Sequence, residues 1–383
     1  MRIVKIFLIL LFLSSVSYAG LFEVLKNIFS SSEPKEKKIS IPNPNIPPSD
    51  EILIDSEEMQ TQESEEYLLK IEPEKYPPVY KISFILPKKI GKYRETTVNA
   101  VIAYLIRREK SFDVKTYTLY ENDFYKVESL LTKIENSDTD LIVAPVTKNI
   151  ADRICSLYVK KIIYIPTISG RSMECSNPNV YFGGIDYLNQ FKKLAEFASS
   201  HSAVIVKDSS PLSKELSEYS SFYFLPKASL FVKDVKAVKT NVLKNKNILK
   251  KSNIILNIPI VKSSLFLSTL YFYSIFPKAV FSTQINYDPK IFTLTQYKMR
   301  KNFYIANSIG STYVKYYDAA KLLDSDVIFD RVNYATINGT DYFFVKSFLD
   351  RGRIFKEKME NNSLVYRTKI TIPKKGEFVT ISK

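Results

Sequence analysis

Residues 140–154 read DLIVAPVTKNIADRI, residues 160–172 read KKIIYIPTISGRS, and residues 177–198 read NPNVYFGGIDYLNQFKKLAEFA. Two strand-like apolar runs each end in a short polar loop, and the stretches that follow carry helical periodicity. In an open parallel sheet a ligand is met at the carboxyl ends of the strands, where loops and helix N-termini converge with unpaired amides. Val146, Thr147, Lys148, Thr167 and Ser169 fall in such loops. They offer hydroxyl, amide and amine groups, with no carboxylate pair, Cys/His dyad or metal-ligand cluster beside them. The expectation is a binding cleft with no catalytic residue, no cofactor and no metal.

Outward from this stretch, strands and helices alternate from Tyr80 onward. KISFILP (81–87), FDVKTYTLY (112–120), DLIVAP and KIIYIPTI read as strands, with helices predicted over 96–110, 127–134 and 187–198. A second series runs through SAVIVKD (202–208), SLFVKDV, NIILNIPIV (253–261), KAVFSTQI (278–285) and KNFYIANSI (301–309). This is the signature of parallel βαβ units. Helical segments near 318–323 and 341–349 are expected to return to the first lobe, and LVYRTKITI (364–372) to add a strand to the second. About 300 residues are too many for one small core and enough for two lobes. The predicted division is 76–199 plus about 310–355 for lobe 1, and 200–309 plus about 356–383 for lobe 2.

Residues 1–19 carry Arg2 and Lys5, the apolar run IFLILLFL and Ser17-Tyr18-Ala19, the layout of a cleavable signal peptide. Export to the periplasm is expected; an uncleaved anchor is the alternative. No cysteine stands directly after the predicted cleavage site, so a lipid anchor is not expected there. The mature chain shows no second apolar stretch long enough to span a bilayer. Residues 21–29 suit a short amphipathic helix. The remainder of 20–75 is rich in Pro, Glu, Gln and Ser and reads as an acidic, flexible leader. Two cysteines, Cys155 and Cys175, permit one bridge in an oxidising compartment; two unpaired thiols are the other reading.

Charge is unevenly spread. The chain is formally +15, while 20–75 holds 13 acidic and 6 basic side chains, a net of −7; removing those and two signal-peptide cations leaves 15 + 7 − 2 = +20 for 76–383. Such a field favours anionic partners and says little about fold. For an exported protein this points to an envelope protein or cell-wall polymer, and away from nucleic acid. Lys233, Lys236, Lys239, Lys244, Lys246, Lys250 and Lys251 form a basic stripe, with Val235, Val238, Val242 and Leu243 opposite. The plain reading is the solvated face of an amphipathic helix; the sharper one is a partner surface.

Nucleotide-binding, zinc-protease, CxxC and nucleophile-elbow motifs are absent, and the only histidine, His201, begins a strand-like run. Asp186 and Asp341 each precede an apolar helix-like run and read as helix caps. Gly183-Gly184 marks a place where backbone could approach a ligand, or an ordinary turn.

The order DLIVAPVTKNIADRI, IIYIPTIS, NPNVYFGGIDYLNQFKKLAEFA, RVNYATINGTDYFF and NNSLVYRTKI resembles the type I periplasmic-binding fold of branched-chain amino-acid binding proteins, over about residues 80–383. Within it, Ala144-Pro145 and Tyr181-Phe182-Gly183-Gly184 are most similar to the C-terminal domain of penicillin-binding-protein activator lipoproteins. The resemblance implies an α/β, two-lobed fold with parallel sheets flanked by helices and a cleft between the lobes. It places Thr147 and Ser169 on hydroxyl-bearing loops and Asp186 near a helix start, with Lys148 favouring an anionic group. It implies a non-enzymatic periplasmic interaction module supporting cell-wall synthesis or envelope assembly, or alternatively a receptor for an amino acid or similar small polar ligand that feeds a transporter. Charge and leader favour the first.

Overall fold

A computed structural model describes residues 79–120, 124–310, 314–348 and 352–382. The predicted signal peptide, the amphipathic segment and the acidic leader lie outside the described residues.

The first half forms β1 (Tyr80–Pro87), α1 (Tyr93–Arg108), β2 (Phe112–Leu119), α2 (Phe124–Glu135), β3 (Leu141–Val143), α3 (Lys148–Cys155), β4 (Ile163–Ile165), β5 (Val180–Phe182) and α4 (Tyr187–Phe197). There follow β6 (Ser202–Lys207), α5 (Pro211–Ser221), β7 (Leu225–Phe231), α6 (Val235–Lys244), α7 (Lys246–Leu249), β8 (Asn253–Asn257), α8 (Ile260–Phe272), β9 (Ala279–Ser282), α9 (Lys290–Leu294) and β10 (Phe303–Asn307). The chain ends with α10 (Val314–Leu322), α11 (Arg331–Phe348), β11 (Lys358–Glu360), β12 (Ser363–Val365), β13 (Lys369–Pro373) and β14 (Phe378–Ile381).

Two seven-stranded sheets result, in the orders β11-β12-β5-β4-β3-β1-β2 and β14-β13-β10-β9-β8-β6-β7. Their central strands are parallel, as the βαβ reading requires; antiparallel pairing is confined to β11–β12 and to β13 against β10 and β14. Because helices cover both faces, central strands such as β3, β4, β8 and β9 are buried at every position rather than alternating. In the first sheet Ile82, Phe84 and Leu86 face a core shared with α1, α10 and α11, while Ile85, Ile142 and Ile163 face a second core with α2 and α3. In the second sheet Val204, Ile254 and Leu256 pack against α6 and α8, and Ile205, Ile255 and Phe281 against α4 and α5.

The division of the chain between the sheets differs from expectation in two places. Helix α4 packs on the second sheet, with Phe191 and Leu194 in the core of β6, β8 and β9, so the first crossing falls between β5 and α4 and not near residue 200. Strands β11 and β12 join the first sheet, where Ser363 pairs with Phe182. The run 364–372 is therefore split: its start belongs to one lobe, and the crossing at 366–368 delivers the rest to the other. The second crossing follows β10.

Asp341 is no cap. It lies inside α11, fully buried, because the helix begins ten residues earlier at Arg331, behind Asp330, whose carboxylate accepts the N–H groups of Val332 and Asn333. Its carboxylate receives Arg108 Nη2 at 2.5 Å, Tyr104 Oη at 2.9 Å and the backbone N–H groups of Ile354 and Phe355 at 3.0 and 3.2 Å. One carboxylate thus ties α1, α11 and the approach to β11. Removing one partner of a buried ion pair strands the other charge. Asp341→Ala is expected to lower unfolding free energy by about 3–5 kcal/mol in denaturant titration; a loss under about 1 kcal/mol would mark the pair as effectively solvated.

Candidate binding cleft

A cleft of about 310 Å³ opens between the lobes. Helices in βα units begin at the carboxyl ends of the strands, so their first residues gather there. Tyr93, Lys148, Tyr187, Pro211 and Arg331, the first residues of α1, α3, α4, α5 and α11, all line the cleft. Three of these starts are capped: Asp186 accepts from Asn189 N, Ser210 from Ser213 N, and Asp330 as described. Thr147 precedes α3 in extended conformation but makes no capping bond.

The structure brings Val146, Thr147, Lys148, Thr167, Ser169 and Asp186 together in this one cleft. Thr167 Oγ1 donates to the Val146 carbonyl at 2.6 Å, so it braces one loop on the next. Asp186 is half-buried and, besides capping α4, pairs with Arg171 Nε at 3.1 Å. From the second lobe, Glu215 accepts from Tyr219 Oη at 2.9 Å; burial and the Glu215 carboxylate raise the Tyr219 phenol's pKa.

Gly183 and Gly184 do not line the cleft. A Cβ on Gly184 would stand 2.2 Å from the Ile168 carbonyl carbon and 2.5 Å from Ser169 N, and one on Gly183 would overlap the Tyr164 hydroxyl. Gly184 admits the protein's own backbone, which sets the Thr167–Ser169 loop against the crossing, and Gly183 admits the Tyr164 ring.

Sequence reading missed Arg331, Tyr93, Tyr187, Glu215 and Tyr219. Arg331 is half-buried, and no carboxylate of the described residues lies within 4.0 Å of it. Burial works against its charge, but the Tyr187 and Tyr93 phenols and Asp330 raise its pKa above the ordinary arginine value. Burial pushes the Tyr187 phenol up to about 12, with Arg331 opposing; the Tyr187 hydroxyl is buried and has no partner at good hydrogen-bonding geometry. The available signal was Asp330-Arg331 at a helix start, placing the arginine at the positive end of α11.

The lysine stripe lies elsewhere. All seven lysines are exposed on or beside α6 and α7, while only Val238 and Val242 of the four opposed apolar residues are buried. The stripe borders the aromatics at and after the end of α8: Lys239 Nζ sits 5.9 Å from the partly buried Tyr273 ring, and Lys251 N bonds the carbonyl of the exposed Phe276. Phe272 is 77% exposed.

No family model matches the chain, and no curated protein matches it. Solved structures do. A branched-chain amino acid ABC transporter protein from Thermus thermophilus with bound valine aligns at TM-score 0.59 and 10% identity, covering 80% of this chain and 96% of that one. The substrate-binding protein LivJ from Streptococcus pneumoniae, in complex with isoleucine, aligns at 0.56 and 11%, covering 79% and 100%. Haemophilus influenzae LpoA aligns at 0.53 and 9%, covering 82% of this chain and 61% of that one. The fold is the two-lobed type I periplasmic-binding architecture. Among the described residues no helix is long and apolar enough to cross a membrane.

Cys155 and Cys175 form a disulfide with Cα atoms 5.1 Å apart. It joins the end of α3 to the segment after Ser172, closing the loop that carries Thr167 and Ser169 onto the helix that starts at Lys148. A bridge spanning 20 positions is worth about 3 kcal/mol in the chain-entropy model. The double variant Cys155→Ser/Cys175→Ser is expected to unfold with that much less stability; equal stability would show that the loop is held by its packing alone.

Proposed function

We propose that this chain is an exported, non-enzymatic binding module whose interlobe cleft closes on a small polar solute. The observation that carries the reading is that side chains of both lobes meet in one cleft: Thr147 and Ser169 from the first, Tyr187, Glu215 and Tyr219 from the second. A ligand there is contacted by both lobes at once and so favours their closed arrangement. The volume, near the lower end for small-molecule pockets, suits a solute rather than a polymer. Neighbouring folds that carry valine and isoleucine support a receptor role in the periplasm. The Cys155–Cys175 bridge and the signal-like residues 1–19 fit that compartment. The solute reading thereby moves ahead of the interaction module that charge and leader favoured.

The interaction reading keeps one observation of its own. Exposed Phe272 and Phe276 beside Lys250, Lys251 and the α6 lysines give lobe 2 a mixed apolar and cationic surface, suited to an acidic envelope protein or wall polymer. It fits the resemblance to the penicillin-binding-protein activators.

Thermal unfolding of the full chain against amino acids, small organic anions and muropeptides tests both. A cleft ligand at a hundredfold excess over its dissociation constant adds about 2.7 kcal/mol to stability, and Thr147→Ala should weaken that effect. A stability gain only with muropeptides, retained in Thr147→Ala and lost on replacing Lys250 and Lys251, would overturn the receptor reading in favour of the surface.

A further inference from the structure

The charges in the cleft do not balance. Among its lining residues Lys148, Arg171 and Arg331 face Asp186 and Glu215, a formal sum of 3 − 2 = +1. The carboxylates are also engaged: Asp186 with Arg171 and the start of α4, Glu215 with the Tyr219 hydroxyl. Asp330, next to Arg331 in sequence, is held by Lys92 Nζ at 2.9 Å and by the start of α11. Arg331 and Lys148 have no ion-pair partner among the described residues.

An arginine cannot relieve this by losing its proton. Removing a charge from water without a counter-charge is costly, and Arg331 is half-buried. The field around it has the same sign. Five helices of eight or more residues begin at the cleft wall, and each adds partial positive charge from its unbonded N–H groups. Asp186 and Asp330 offset two of these starts. The start of α3, preceded by the uncapped Thr147, is not offset. Tyr187 lines the same cleft, and its buried hydroxyl has no hydrogen-bond acceptor.

A cation with no carboxylate within 4.0 Å, a hydroxyl without an acceptor and an uncapped helix start share one complement: a small group rich in acceptors and negatively charged. We propose that the cleft binds a small organic anion, its charged group held by Arg331, with the Tyr187 hydroxyl as a second donor. This rests on the solute-binding reading and narrows it. Tyr187 and Arg331 belong to different lobes, so the same anion joins the two halves of the fold. The required chemistry is that of a carboxylate, phosphate or sulfate ester.

Matched pairs separate charge from shape. Titration calorimetry of the full chain would compare benzoate with benzamide, acetate with acetamide, and methyl phosphate and methyl sulfate with methanol, at constant ionic strength. Anions should bind and their neutral partners should not; the carboxylate, phosphate and sulfate arms identify which acceptor group fits. Arg331→Gln should weaken anion binding about tenfold or more, the size expected for a lost charge-assisted hydrogen bond. Arg331→Lys, which keeps the charge and loses the fork, should fall between the two. Lys239→Gln on the outer surface should leave binding unchanged. Equal binding of neutral partners, or undiminished anion binding in a folded Arg331→Gln, overturns the anion assignment while leaving solute binding in place if Thr147→Ala still weakens it. Anion binding lost with Lys239→Gln and retained with Arg331→Gln assigns it to the outer surface and overturns the proposal. No binding by any member, anionic or neutral, overturns the anion proposal and the solute reading together.

Discussion

Gln190 is a fully buried amide on the inner face of α4, and it ties that helix to the segments after β9 and β10, beside the points where the chain crosses between the sheets. Its Nε2 donates to Ser308 Oγ at 2.8 Å, and its Oε1 accepts from Gln284 N at 2.8 Å. Ser308, just past β10, in turn meets Thr368 Oγ1 at 3.0 Å, and Thr368 lies on the last crossing. Tyr366, on that same crossing, donates its hydroxyl to the Gly183 carbonyl on the first. Each lobe is assembled from separate pieces of chain, so a cleft of fixed width requires the crossings to be mutually registered. Hydrogen bonds do this where apolar contact could not, because they fix direction as well as distance. Satisfaction is incomplete: Gln284 Oε1 accepts from both Gln190 and Ser308 N, and its own Nε2 is left without a partner.

The parallel strands were legible because a strand covered on both faces leaves a continuous apolar run, and DLIVAP, KISFILP and NIILN are such runs. The crossings were not. Gly183–Asp186 has the local chemistry of any strand-to-helix turn, and the apolar face of α4 carries no mark of which sheet it will cover. Phe191 and Leu194 are as suitable for one core as for the other; what commits them to the second is the seam at Gln190, a long-range relation between residues 94 and 118 positions apart. The same ambiguity misplaced Asp341. An aspartate before Tyr-Phe-Phe looks like a cap, yet the helix was already under way from Arg331, and only the distant donors Arg108, Tyr104 and the 354–355 backbone give the carboxylate a reason to be buried.

About half of the cleft could be read from sequence. The carboxyl-end rule finds Thr147, Lys148, Thr167 and Ser169, since each follows a recognisable strand. It is silent on the opposite wall and on α11, whose starts depend on how the lobes face each other. It also offers no way to tell a glycine that admits ligand from one that admits backbone: Gly184 is required by the Ile168–Ser169 peptide, a contact 15 positions away. The lysine stripe, by contrast, was the most conspicuous charge feature in the sequence and lies outside the cleft. Exposed charges are solvated and screened within about 10 Å at ordinary ionic strength. On the proposed reading a single half-buried guanidinium therefore counts for more than seven surface lysines in what the cleft would accept.

That guanidinium stands at the head of a helix with other duties. Residues 331, 334, 338 and 341 of α11 recur at intervals of three and four, which places them on one stripe of the helix. Arg331 reaches the cleft. Tyr334 accepts from Gly310 N after the second crossing and donates to Glu357, which also receives Asn338 Nδ2 at 2.7 Å. Asp341 anchors the helix to α1 through Arg108. In one rigid element the contact that a solute would make, the contact that steadies a crossing and the contact that fixes the lobe's core are therefore in series. A displacement of Arg331 toward a bound group is opposed at the far end, where Asp341 is held by donors from α1 and from residues 353–355. It must be taken up at Tyr334 and Gly310, where the chain passes between the lobes.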